Sequence, residues 1–381
     1  RDAAIVVVAE CSISEARTQA AAKPPNCAAA AGILGSAMKT LRRIPRARRA
    51  DHDIDRLLAD VQKEMNEFAK RGLSEMGTIK SPPIDLTQLA ENSVAAVRGK
   101  PVLDALVAFA RVSGPVLFER DREFARRMVN GHPLLSMFGA THLSSDGRVV
   151  AKNLGVEFGE SPEDDRGVVV HLEMMKHYQN MMQVAVQGSI LPVLEVLAVE
   201  HRLLEMDLIH MVRNSPVVPI GREMLYGKAL YFGFQRDFAG AVHLLTPQIE
   251  HLVRSHLKSV GALTTTVNSG GIEQEKGLSA LMDDPKADQV FGPDLSYELR
   301  SLFCGPTGPN LRNDIAHGLV DDAGAQSVTT CYAWWFGFRL AFGAYWGALQ
   351  SQGDDKPGDD AAKDEDSDGD GDEPSSESLA K

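Results

Sequence analysis

The stretch GPNLRNDIAHGLVDD, residues 308–322, gathers Arg312, Asn313 and His317 within six positions and follows them at once with Gly318. On a helix, Asn313 and His317 are four apart and share a face, so the amide could fix the imidazole ring. Arg312 lies one step, roughly 100°, around the axis, and its long side chain can swing toward the same patch. Gly305, Pro306, Gly308 and Pro309 form a stiff approach that places Arg312 in the first helical turn, where unpaired peptide N–H groups favour an anion. Gly318 ends the helix beside His317. Two readings compete: a helix end pinned by polar side chains, or reactive groups aimed at a phosphate.

Outward from this segment the pattern is helical. Immediately downstream, VTTCYAWWFGFRLAFGAYWGAL (328–349) is long enough to cross a bilayer but carries Arg339 near its centre and no flanking basic cluster. It reads as a buried final helix, so no membrane association is expected through 328–349. Upstream, PQIEHLVRSHLKSV places Ile249, Leu252, Val253, Leu257 and Val260 on one stripe. Thr246 before Pro247 suggests an N-cap with proline at the first helical position. Between the two, TTTVNSGGIEQEKG reads as a loop, LSALMDD as a short helix and DLSYELRSLFCG as another.

Further upstream, DIDRLLADVQKEMNEFAKRG and the segments VLDALVAFARV and DREFARRMVNG read as helices. MFGATHLSSDGRVVAKNLGV (137–156) breaks the period, and Asp146-Gly147 between two β-prone runs signals a hairpin. SPEDDRG (161–167) reads as a loop, residues 168–187 and 190–214 as helices, SPVVPIG (215–221) as a proline-punctuated connection and 222–238 as a helix. Residues 1–50, rich in Ala and basic side chains, lack a sustained period and read as poorly ordered. Within them, KTLRRIPRARR (39–49) holds six basic residues and reads as a solvated linker.

The expected architecture is therefore all-α. Its parts are a poorly ordered segment 1–50, a repeat-like helical region 51–136, a β-hairpin insertion 137–160, a central helical region 161–236, an antiparallel helical bundle 237–350 and a disordered acidic tail 351–381. Residues 352–381 carry twelve acids against three lysines, so nine of the twelve net negative charges sit there and the remainder is close to neutral.

Composition narrows the chemistry. Aromatic residues, at 6%, are too sparse for a stacking platform on single-stranded nucleic acid. Cys11, Cys27, Cys304 and Cys331 form no C-x-x-C pair, which fits a reducing, cytoplasmic setting and supports neither disulfides nor a zinc knuckle. Asp366, Asp368, Asp370, Gly371 and Glu377 match EF-hand spacing, yet Glu373 and Pro374 occupy positions eight and nine and both flanks are polar, so low complexity is the better account. Glu173 with His177, and His201 with Glu205, share helix faces but lack a third ligand. Met174, Met175, Met181 and Met182 read as core filling. No phosphate-binding, dinucleotide-binding or serine-hydrolase signature is present. No metal and no cofactor are expected.

What remains are the parts for metal-free RNA cleavage. A neutral imidazole can take the proton from a ribose 2′-OH, and a guanidinium can hold the charge that builds on the phosphorane. The motif offers only one histidine, so a twofold dimer would have to supply the second.

The R-N-x-x-x-H-G string resembles the signature of a domain-of-unknown-function family (number 4209), and its R-x4-H core is similar to that of the HEPN superfamily. The resemblance covers about 235–345 and includes the upstream helix, where Glu250 and Arg254 stand at matching places. It implies an antiparallel helical bundle that dimerises. In active members it implies a metal-independent endoribonuclease, with Arg312 and His317 as the catalytic pair, Asn313 beside them, and Glu250, Arg254 and Gly318 supporting. RNA is then the substrate, and a protein partner or antitoxin is a further expectation. Catalytically silent members of the superfamily bind partners instead, and the corresponding alternative here is a helical scaffold whose motif is structural.

Overall fold

The computed structural model describes residues 1–77, 82–131, 140–143, 149–153, 162–305 and 307–354. It is all-α, with two small antiparallel hairpins attached. Among the described residues its helices bury two large hydrophobic cores and a small satellite cluster of Ala125, Met174, Met175 and Tyr297.

The first core belongs to three helices: α1 (Asp2–Ala21), α2 (Cys27–Leu41) and α3 (Ile54–Glu75). This corrects the expectation that residues 1–50 are poorly ordered. Ala9, Ile13, Ala16 and Ala20 of α1 face Ala30, Leu34, Ala37 and Leu41 of α2. The stripe is built largely from alanine, which carries little periodic hydrophobic contrast but allows helices to approach closely. The approach is tight at Gly72 of α3, where a Cβ would stand 2.8 Å from the Ala28 nitrogen. Asn26 caps α2 by accepting from the Ala29 N–H at 3.2 Å, and Arg17 holds Glu64 through two 2.9 Å bonds.

The second core takes in the rest. Helices α4 (Thr87–Ala95), α5 (Val102–Ala110) and α6 (Phe118–Gly131) precede the hairpin β1 (Ala140–Leu143) and β2 (Val149–Asn153), which pairs Ala140 with Asn153 in register. The hairpin expected over 137–160 is thus present, while its Asp146-Gly147 turn lies outside the described residues. So do 355–381 of the acidic tail and its EF-hand-like spacing.

Helix α7 (Pro162–Ala185) begins inside the segment read as a loop and runs through a π turn, Val186–Ile190, into α8 (Leu191–Glu200). Pro192 has no N–H to donate, and the widened turn before it absorbs that loss. Gly188 in this turn lets Leu89 of α4 approach to 2.6 Å from where a Cβ would be, and Ser93 and Ser189 share a buried 2.9 Å hydrogen bond. The single helix expected over 190–214 is broken at 201–204. His201 is extended, and Asp207 reaches back to take the Leu204 N–H at 2.9 Å, which starts α9 (Glu205–Arg213) afresh.

Helices α10 (Glu223–Phe234) and α11 (Phe238–Ser259) follow. Asp237, not Thr246, caps α11, accepting from the Gly240 N–H at 2.8 Å. Pro247 lies inside that helix. The buried stripe runs unbroken through it, from Ala241, Val242 and Leu245 to Ile249, Leu252 and Val253, so tertiary burial outweighs one lost backbone bond. The segment read as a loop contains a hairpin, β3 (Thr265–Val267) with β4 (Glu273–Glu275), whose turn is held by Asn268 Oδ1 accepting from Gly270 and Ile272. Then come α12 (Leu278–Met282), α13 (Lys286–Leu299) with its π extension Arg300–Cys304, the short α14 (Leu311–Ala316) and α15 (Asp322–Ala325), and the final α16 (Val328–Asp354).

Helix α16 is the centre of the second core, as its aromatic run implies. Trp334, Trp335, Phe336, Phe338 and Phe342 are fully buried. Both indoles find acceptors, Trp334 on the Leu230 carbonyl (2.9 Å) and Trp335 on the Phe109 carbonyl (3.1 Å). Arg339 is satisfied internally: it pairs with the buried Glu298, which also accepts from Tyr332 at 2.7 Å. Among the described residues, one helical stretch, 167–200, is long and apolar enough to cross a membrane, and half of its most apolar window is buried in the fold.

Candidate functional site

The motif helix α14 has only six residues and does not stand alone. Its entry is shaped by Gly308, whose missing side chain lets the Ser301 carbonyl come within 2.5 Å of where a Cβ would be, and by Asn310 in the left-handed region at φ 49°. Gln179 of α7 ties this entry loop down through the Thr307 carbonyl at 3.4 Å. The helix closes on Gly318, at φ 62°. There the Leu319 N–H returns to Asp314 (2.8 Å) and the Gly318 N–H to Ile315 (3.2 Å), the paired bonds of a Schellman cap. With six residues, α14 offers too little aligned backbone for the anion site expected at its N-terminus.

Arg312 points at α11. Its Nε donates to Glu250 Oε2 at 2.6 Å, and the guanidinium packs over Gly277, where a Cβ would lie 3.3 Å from Nη2. Glu250 is the hub of this cluster. Its other oxygen accepts from Arg254 at 2.7 Å, and Oε2 also receives the Leu278 N–H at 3.3 Å, at the start of α12. Arg254 in turn donates to the Lys276 carbonyl at 2.8 Å, and its Nε lies 3.0 Å from Glu275, an ion-pair distance without hydrogen-bond alignment. Burial by itself would raise the Glu250 carboxyl. The hydrogen bonds and positive charges of Arg312 and Arg254 outweigh it and hold the group below the ordinary carboxylate range.

Among the described residues, Arg312 Nη1 and Nη2 have no hydrogen-bond partner, and the side chain keeps 31% of its exposure. The guanidinium is thus fixed through one nitrogen while two donors stay open to a ligand. His317 is the C-cap residue of α14 and is exposed. Five positions separate it from Arg312, roughly 140° around the axis, so the two diverge within one chain. The expected Asn313–His317 contact does not form: among the described residues neither side chain has a hydrogen-bond partner. The structure therefore brings together Arg312, Glu250 and Arg254, leaves His317 and Asn313 outside that cluster, and gives Gly318 a backbone role.

One further group belongs to this face. His251, beside Glu250 on α11, meets Ser255 Oγ at 3.3 Å. Partial burial, then the charges of Arg222 and Arg254, lower its proton affinity and favour the neutral ring. Its spacing from Arg254 and Ser255 was readable in the sequence, but its neighbour Arg222 arrives from another helix and was not.

Glu173 pairs with Lys176 at 3.1 Å, and His177 lies against Phe124 and 3.7 Å from Asp121. Among the described residues no group of three metal-ligating side chains occurs. In comparisons with known proteins, no family model, no curated protein and no solved structure matches this chain.

Proposed function

We propose that this protein is a metal-independent endoribonuclease of HEPN-like type, assembled as a twofold dimer. One observation carries the reading: Arg312 is anchored from beneath by Glu250 and keeps 31% of its side-chain exposure, while His317 is exposed on the same short helix. Because the two groups diverge within one chain, a single protomer holds half a site. The partner's copy of α14 supplies the other half.

In this reaction, one imidazole takes the 2′-OH proton and the 2′-oxygen attacks the adjacent phosphorus. The P–O5′ bond breaks, and the second imidazole, protonated, gives its proton to the leaving 5′-oxygen. The Nη groups of Arg312 carry the charge on the phosphorane. Glu250 and Arg254 are positioning residues. The products are a 2′,3′-cyclic phosphate and a 5′-hydroxyl.

The test is incubation of the full chain with single-stranded RNA in excess chelator. Cleavage is expected with cyclic-phosphate ends, no action on DNA of the same sequence, and a loss of about 10²–10⁴-fold in His317→Ala. Equal cleavage by His317→Ala, or none by the parent protein, would sink the proposal.

The Glu250 hub favours a second reading, a scaffold in which the motif locks α14 to α11 and α12. It differs in outcome: the parent protein cleaves no RNA, Arg312→Met lowers Tm, and His317→Ala changes nothing.

A further inference from the structure

A cavity of about 370 Å³ opens between α7, α12, α13 and the start of α6, its wall reaching Cys304 and Gly305 at the approach to the motif helix. That volume is within the usual range for a small-molecule site. Its walls are apolar and soft: Met174, Met175 and Met282, all buried, with Phe118, Pro293 and Tyr297. Thioether sulfurs and aromatic edges together favour a flat aromatic ring over an aliphatic chain.

Two polar features break this lining. Ser301 is 1% exposed, and its hydroxyl lies beside that of Tyr297 without meeting hydrogen-bond geometry. Tyr297 spends its own proton on the Met174 carbonyl at 3.3 Å. A buried hydroxyl without a bond is costly unless something enters to satisfy it.

The second feature is the charge at the mouth. Arg300 gives Nε and Nη2 to the Met282 carbonyl and Nη1 to Asp288 at 2.7 Å, so its charge is offset by that carboxylate. Asp283 lines the same opening, and among the described residues no cation pairs with it. His171 stands at the rim with part of its ring exposed, and desolvation of the rest lowers its proton affinity, so it does not offset that carboxylate. The rim is therefore net negative. Burial pushes the Cys304 thiol in the wall up to about 12, which keeps it protonated at neutral pH.

From these observations we infer that the cavity is a reversible binding site for a compact aromatic amine, its ring among the methionines, its ammonium on Asp283 and a polar edge against Ser301. The site is independent of the RNA-cleaving reading.

Calorimetric titration of the full chain with tryptamine tests it, with indole-3-ethanol as the uncharged analogue and indole-3-propionate as the anionic one. Tryptamine is expected to bind one to one, at least about tenfold tighter than the alcohol, with the acid weakest. Asp283→Asn, at an exposed position, should leave Tm unchanged and abolish that preference. In protein carrying labelled methionine methyls, tryptamine should shift the Met174, Met175 and Met282 signals through its ring current. Absence of saturable binding, equal affinity for all three compounds, unchanged preference in Asp283→Asn, or unmoved methionine signals would each overturn the inference.

Discussion

Glu250 is the residue on which the motif face turns, and its chemistry sets a pH dependence. Its carboxyl is held below its unfolded value by Arg312 and Arg254. The stabilisation is therefore complete above the unfolded value of about 4.3 and is lost as pH falls through the lower folded value. Glu250→Gln should cost about 2–4 kcal/mol at pH 7, since it leaves the Arg312 guanidinium partly buried without its counter-charge and Arg254 with Glu275 alone. Denaturant titrations of the two proteins should converge below pH 4, and parallel curves down to pH 3 would contradict the assignment. Gly318→Ala should cost about 1–2 kcal/mol, because alanine resists the left-handed cap that φ 62° imposes. His317→Ala, at an exposed position, should stay within about 0.5 kcal/mol of the parent. Thermal melts of these two variants separate a backbone role from a chemical one.

At the level of elements, α16 is held by directed contacts as well as by area. Gly233 of α10 lies so close to the Trp334 indole that a Cβ would be 2.0 Å from its Nε1. Gly233→Ala should therefore destabilise by about 1–3 kcal/mol, or more where the ring cannot retreat, as read from the shift in denaturant midpoint. The Arg339–Glu298 pair makes a sharper test. Removing one partner, as in Arg339→Met, should cost about 3–5 kcal/mol by stranding a buried carboxylate. Adding Glu298→Gln, which keeps an acceptor for Tyr332, should recover part of that loss. Additive losses in the double-mutant cycle would show the pair to be uncoupled. The arginine in an otherwise apolar run was readable as a mark of a buried helix. That Glu298 of α13 would meet it was not, because the two positions are 41 residues apart and no local pattern links them.

For the whole molecule, the consequential feature is that α1–α3 bury their own core and the remaining helices a larger one with a small satellite beside it. Two cores predict two unfolding transitions in calorimetry, and a fragment spanning 82–354 should keep the upper or lower one unchanged. A single cooperative transition that disappears on removing residues 1–77 would contradict this division. The proposed dimer belongs to the same scale: light scattering on the full chain should give twice the protomer mass if the divergent Arg312 and His317 are completed by a twin.

Periodicity and residue chemistry determined much of this protein by themselves. The all-α class, the buried aromatic helix at 328–349, the pairing of 140–143 with 149–153 and the glycine stop at 318 all follow from local patterns, because helix faces, turns and caps are set by neighbours within a few positions. Tertiary structure decided the rest. It folded the alanine-rich N-terminus, whose low contrast hides its packing face, and it carried α11 straight through Pro247 on the strength of a continuous buried stripe. It also turned Arg312 inward to Glu250, 62 residues away, and left His317 outside. Partnership across such distances depends on which helices share a core, and that is a property of the assembled fold.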